Sequence, residues 1–505
     1  MKRKICLILA ILMLLTVVFG TSACKKNDEG ETGETTVSTT TGGNGGTEDN
    51  SLYAYLPKAN YNGYTFNILV SESDYAITTI CPEDTTDSLN QAMFNRNSFV
   101  KDTLNINIVE ESLEFPAFTK VQEEMRRLNT ANTFTYDAVF NEAGYQTPLA
   151  QEGVYLAIDD YEQYLNLSKP WWFTDAMESL KIDGRTCELF GDFHLMFYDS
   201  IHAIVFNQNQ LRDNKIAFPY DLVRSGDWTL EELKDMVATI NSNQTEENHY
   251  GIVGPKDSST AFITATGFSL VKQDEDEVLL PYENDELLVD IYNDIRDFYV
   301  SNGDGMDNWI HPDYGSDTYK EGNFAKEKEN NGSAVNIFQE GRAAFMLTAI
   351  GAVHRYLRQS EFDYGLVPIP KYSAEDQEQY VNFNYSGAAS CGISTLSPDV
   401  ERTCTILEYL SAYSYKLVKS EYYDIVVQTR AVRDTDSMEM LDIIFGHDEL
   451  GTVKFELDLC YGIGFADCIR KNLSDNNAEV KSQLDSLKTS SAKKNILAVI
   501  EAYKG

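Results

Sequence analysis

Basic side chains are scarce in this 505-residue chain: 41 lysines and arginines face 79 aspartates and glutamates, a formal net charge of −38. A field of that sign repels phosphate backbones, so nucleic acid is excluded as a partner. Acidic runs such as DEDE at residues 274–277 read as solvated loops. Histidine is scarce too. The six histidines are dispersed, and neither HExxH nor GxSxG occurs, so no motif marks a zinc-activated water or an activated serine. Carboxylate pairs arise by chance in so acidic a chain and do not define a glycosidase. A Walker-type GxxxxGK[ST] is missing, and so is any CxxC spacing among the eight cysteines, which argues against nucleotide hydrolysis, structural zinc and thioredoxin-like chemistry. The expectation is a protein that is not an enzyme and that needs no cofactor or metal.

Long apolar runs are absent as well, with one exception at the start. In MKRKICLILAILMLLTVVFGTSAC, three basic residues precede an uncharged run of 16, too short for a membrane span and flanked as an export signal. Thr21, Ser22, Ala23 and Cys24 resemble the lipobox of bacterial lipoproteins. That resemblance implies a signal peptide over residues 1–23 and lipidation of the Cys24 thiol, which would hold the protein at the outer face of the cytoplasmic membrane. Residues 25–50 contain no aromatic side chain and one clearly apolar one, Val37, too little to bury a core. They read as a flexible tether, spanning 24–55 with its flanks, whose root-mean-square reach is roughly 30 Å.

About 450 residues remain, more than one ordinary core and enough for two large lobes. YTFNILVS (64–71), INIVEE (106–111) and TYDAVFN (135–141) have the β-branched and aromatic content of strands. Between the first two, Leu89, Met93, Val100 and Leu104 fall near one face of a helix. Between the second and third, Val121, Met125 and Leu128 do the same, after Thr119 and Gln122 in capping-box spacing. Strand, helix, strand, helix, strand predicts an α/β lobe with a largely parallel sheet and ligand sites beyond the carboxyl ends of its strands. Further on, a strand ends at Phe206 and Asn207, and Thr229 with Glu232 forms a second capping box. Adjacent side chains diverge on helix and strand alike, so at most one ring of the Trp171–Trp172 pair is expected to face a given cleft.

The succession YDAVF, GVYLAIDDY, KPWW, IDGR, VFN, PYDLV, DWTLEEL, GRAAFM, YGLVPIPK and AVRDTDSMEML resembles the extracellular solute-binding proteins of bacterial ABC importers, and their sugar-binding type most of all. The resemblance implies a two-lobed α/β fold of the periplasmic-binding-protein kind (type II), with lobes of residues 56–199 plus 386–418 and 200–385 plus 419–505. A hinge would join them at crossings near 200–204 and 384–388. It implies capture of a small solute, an oligosaccharide in the sugar-binding type, and delivery to ABC permease subunits. A peptide or polyamine receptor and a sensory or adhesive surface lipoprotein are the alternatives. The loops that the family places around the cleft carry Glu142, Tyr145, Tyr198, Asp199, Ser200, Asp257, Ser259, Thr348, Asn384 and Tyr385, and Trp172 could reach it as well. Tyrosine rings suit the C–H faces of a sugar, and carboxylates and amides suit its hydroxyls.

Overall fold

YTFNILVS forms strand β1 (Tyr64–Ser71), with Phe66, Ile68, Leu69 and Val70 buried. The computed structural model describes residues 50–505 apart from 74–75, 84, 115, 246–248, 255–258, 276–277, 302–333, 385–386, 428–434 and 505. Residues 1–23, read above as a signal peptide, and Cys24, Asp257 and Tyr385 therefore lie outside the described residues. The chain divides into residues 1–54, of which a 3-10 turn at Asn50–Tyr53 is described, and residues 55–505.

In the second unit, β1 pairs in parallel with β2 (Ile106–Leu113) and β3 (Ala138–Glu142), with Tyr64 opposite Ile106 and Ile68 opposite Ala138. β3 starts three residues later than its composition suggests. β2 is an edge strand and alternates between exposed and half-covered positions, whereas β3 is buried throughout. The connecting helices Ser88–Leu104 and Ala117–Thr130 bury Leu89, Met93, Val100 and Leu104, and Val121, Met125 and Leu128. These are the positions that the period of 3.6 selects. The Thr119 cap is a correction: the helix starts at Ala117 after Pro116, whose fixed φ pre-sets the turn, so Thr119 lies inside it.

The second sheet is built from β4 (His202–Asn207), β5 (Tyr250–Val253), β8 (Ala343–Ala349) and β9 (Tyr364–Val367), in the order β5-β8-β4-β9. Two short strands, β6 (Val271–Gln273) and β7 (Leu279–Pro281), form a separate antiparallel pair. Thr229 caps as expected, since its hydroxyl accepts from the Glu232 N–H (3.3 Å) at the start of helix Leu230–Asn243, which is the N-cap half of the box. Trp228 just before it is fully buried and donates to the Pro368 carbonyl (2.8 Å).

The chain leaves the first sheet through the short helix Met196–Asp199 into β4. It returns through β10 (Tyr380–Asn384) to β11 (Ala389–Gly392), which adds antiparallel to β3. β10 also pairs in parallel with β12 (Gly451–Phe455), beyond which come the short helix Leu457–Cys460 and then helices Phe465–Ser474, Val480–Thr489 and Ser491–Lys504. At the two crossings Ile201 bridges Asn384, and the Asn384 amide donates to the Phe197 carbonyl (3.1 Å).

Candidate functional site

β3 ends at Glu142, and helix Ala143–Gln151 begins at the next residue. Glu142 is buried, and its backbone lies opposite Ala389 of β11. The Ala143 N–H donates to the Ala388 carbonyl (2.8 Å), which ties the start of this helix to the second crossing. One turn on, Tyr145 is half-buried and stacks on Phe118 (centroids 5.7 Å apart). Burial raises its phenol pKa, and the Glu142 carboxylate adds to that. Phe118 also packs against an apolar cluster of Ala76, Met196 and Ala389. A carboxylate and an aromatic ring thus sit together beyond the carboxyl end of a central strand, where α/β folds bind ligands.

The segment 76–81 that follows β1 begins at Ala76 of this cluster. Its backbone is gripped from several elements: Asp199 accepts from Ile77 N–H (2.6 Å), and Glu110 accepts from Ile80 N–H (2.7 Å) and Cys81 N–H (2.8 Å). The buried guanidinium of Arg96 donates to the Ile80 carbonyl (2.5 Å) and to Ser414 Oγ (2.8 Å). Burial pushes its pKa down to about 10. Arg355, on helix Ile350–Tyr356 after β8, donates to the Ala76 carbonyl, a bond from the second sheet's side to the first. Nothing in the residues AITTIC marked this segment beforehand, because most of its partners use its backbone; the Thr79 hydroxyl, which donates to Glu110 (2.9 Å), is one of its side chains that also takes part.

Other expected site residues are engaged within the protein. Asp199 is fully buried and accepts from Ile77, His354 Nε2 (2.7 Å) and the Tyr422 hydroxyl (2.7 Å). Burial acts to raise its pKa, but His354 and its other donors outweigh this and hold it below the usual value. Ser200 Oγ lies 3.0 Å from Asn384 Oδ1 and 2.8 Å from the Met196 carbonyl, so these two residues bind the crossings to each other. Tyr198 is buried among Phe173, Phe197 and Phe445, and its hydroxyl donates to Asp192. Thr348 is buried in β8 opposite Ala203. Ser259 opens helix Ser259–Ala265.

Trp172 is turned inward, and so is its neighbour. The chain makes a turn at this point, with Trp172 N–H on the Lys169 carbonyl (3.2 Å), which brings both rings to one side against the simple expectation of divergence. Both indole N–H groups end on Glu408, Trp171 at 3.1 Å and Trp172 at 2.9 Å. Asn166 N–H (3.0 Å) and the Tyr55 hydroxyl complete a four-donor shell around that buried carboxylate. Among the described residues no group of His, Cys, Asp and Glu is placed to hold a metal ion.

The buried titratable groups predict a pH profile. Burial is the first cause in each case. It pushes Glu188 and Asp192 up to about 7, Glu456 up to about 8 and Asp458 up to about 6. It pushes His194 and His447 down to about 3 and His202 down to about 4. A raised acid contributes stability that is full below its unfolded pKa of about 4 and is lost as pH climbs through the folded value. A lowered imidazole contributes above about 6.5 and loses its contribution as pH falls. The two sets oppose each other between about pH 4 and 6.5, but above that only the carboxyls titrate. The Tm by scanning calorimetry is therefore expected to fall between about pH 6.5 and 8.5, and a flat or rising Tm there contradicts the assignment.

No family model matches the chain, and no curated protein matches it. Solved structures do. A sugar transporter from Rhizobium etli in an open conformation has a TM-score of 0.55 at 13% identity, over 88% of this chain and 100% of that one. A cyclic alpha-maltosyl-1,6-maltose binding protein from Arthrobacter globiformis has a TM-score of 0.55 at 12% identity, over 87% and 99%. An ABC substrate-binding protein from Listeria monocytogenes, in complex with cycloalternan, has a TM-score of 0.52 at 13% identity, over 86% and 99%. At these identities the likeness establishes the fold, the two-lobed α/β fold of solute-binding proteins.

Proposed function

We propose that the protein is an extracellular solute-binding receptor that captures an oligosaccharide between its lobes and delivers it to the permease of an ABC importer. The observation that carries this reading is the match to sugar-binding structures along most of both chains, at the fold level. The site beyond β3 supports it, because Glu142 and Tyr145 offer a hydroxyl acceptor and a ring side by side. Asp257, Ser259 and Tyr385 complete the proposed ligand set. Ser200 and Asn384 act in the hinge, where their mutual contact joins the crossings. Binding without turnover is the activity, so no catalytic residue is assigned.

Titration with maltotetraose and with cyclic gluco-oligosaccharides tests the reading. A sugar held by hydrogen bonds and stacking is expected to raise the Tm and to bind with an affinity nearly independent of salt. Tyr145→Ala is expected to weaken binding by roughly 1 kcal/mol, about fivefold in Kd, with little loss of Tm. A polyamine or peptide that binds while every sugar fails, or an affinity that collapses as salt rises, refutes the oligosaccharide assignment.

Anchoring is proposed on the lipobox resemblance. Cys24 would carry the lipid, and residues 24–55 would hold the globular body at the outer face of the cytoplasmic membrane beside the permease. Cys24→Ala is expected to release the protein from membranes or to leave it unprocessed in cell fractionation. Normal cleavage with full membrane retention would rule this out.

A further inference from the structure

Glu188 is buried in an extended stretch between the helix that carries Tyr145 and the strand that follows the second crossing. Its two oxygens meet two hydroxyls: Oε1 lies 2.8 Å from Thr147 Oγ1, and Oε2 lies 2.6 Å from Ser390 Oγ. Thr147 Oγ1 is in turn 2.8 Å from the Ala143 carbonyl. Each of these three oxygen–oxygen contacts needs a proton. A hydroxyl supplies one, so an ionised Glu188 leaves two protons for three contacts and forces two acceptor oxygens together. A protonated Glu188 closes the count: Oε1–H donates to Thr147, Thr147 donates to Ala143, and Ser390 donates to Oε2.

We propose that Glu188 holds a proton in the folded protein and acts as a proton-operated latch between helix Ala143–Gln151 and β11. The helix presents Glu142 and Tyr145 at its first turn, and β11 leads away from the hinge, so the latch couples the ambient proton concentration to the rigidity of the ligand side. The groups that face Glu188 from its own stretch and from the elements packed on it are Tyr155, Cys187, Cys460, Tyr461 and Tyr503, none of them a cation. Arg185, two residues before Cys187, donates to the Tyr503 carbonyl (3.4 Å). Burial pushes the carboxyl up to about 7, in keeping with the proton count. Below that pH the three contacts hold. Above it the latch loses its proton, and Thr147 must give up one partner.

The test compares the intact protein with Glu188→Gln, whose amide donates to Thr147 and whose carbonyl accepts from Ser390 without titrating. The variant is expected to match the parent Tm at acid pH and to lose less of it as pH rises. Amide exchange in residues 143–151, corrected for the intrinsic rate, is expected to quicken above neutral pH in the parent and not in the variant. The infrared band of a protonated carboxyl at acid pH is expected to weaken in the variant. Superimposable pH profiles of parent and variant, or an undiminished band, overturn the proposal. If Glu188→Gln does not fold, Ser390→Ala serves instead: it removes a donor that favours the ionised form, so the onset of faster exchange must move to higher pH, and an onset that stays or falls overturns the proposal equally.

Discussion

Glu408→Leu is expected to cost roughly 3–5 kcal/mol of stability. The variant keeps the volume and removes the charge, but it abandons four donors at once: the two buried indole N–H groups, the half-buried Asn166 backbone N–H and the hydroxyl of the more exposed Tyr55. The two indole N–H groups, buried on both sides, carry the larger desolvation cost. Burial raises the Glu408 pKa, and the four donors pull against that rise, which shows where the carboxylate draws its support. Glu408→Gln should fall between the parent and Glu408→Leu, since its NH2 group confronts N–H donors while its carbonyl still accepts. Denaturant unfolding followed by tryptophan fluorescence reads both, because Trp171 and Trp172 report on the site directly. A loss below about 1 kcal/mol for Glu408→Leu would mean that solvent or rearranged side chains satisfy the donors.

Asp199→Ala should be comparably damaging, with a different signature. Its carboxylate joins three segments far apart in the chain: Ile77 after β1, His354 after β8 and Tyr422 on helix Lys419–Val427. Removing it leaves a buried imidazole, a phenol and a backbone N–H without their acceptor, at a cost of roughly 3–5 kcal/mol. Because it sits where the chain crosses between the sheets, the loss should be local first. Amide exchange is expected to accelerate in residues 76–81 and 350–356 well before global unfolding. Asp199→Asn keeps part of the acceptor capacity and should show the same pattern more weakly. Exchange that rises uniformly over the protein, or not at all in these two segments, would show that Asp199 does not join them.

Local patterns were readable in the sequence wherever the information was itself local. The apolar faces of helices 88–104 and 117–130, the span of β1 and the Thr229 cap follow from side-chain period and capping chemistry within a few residues. The place of Glu142 and Tyr145 was also legible, since strand-helix order alone puts them beyond the end of a parallel strand. The role of segment 76–81 was not legible, because its side chains are ordinary and most of its partners bind its backbone. Thr119 failed as a cap because Pro116 had already set the helix start.

Composition and order by themselves determined that this is a strongly acidic α/β chain, with an N-terminal stretch at residues 25–50 too poor in apolar side chains to build a core, and with strands and helices in a recognisable succession. The tertiary structure alone decided the destination of each buried charge. Glu408 meets Trp171 across 237 positions and Tyr55 across 353, and Asp199 meets Tyr422 across 223. No local period encodes such partners. A buried carboxylate must collect its donors from whatever segments the closed chain brings within about 3 Å, and that set exists only once both sheets and both crossings are in place.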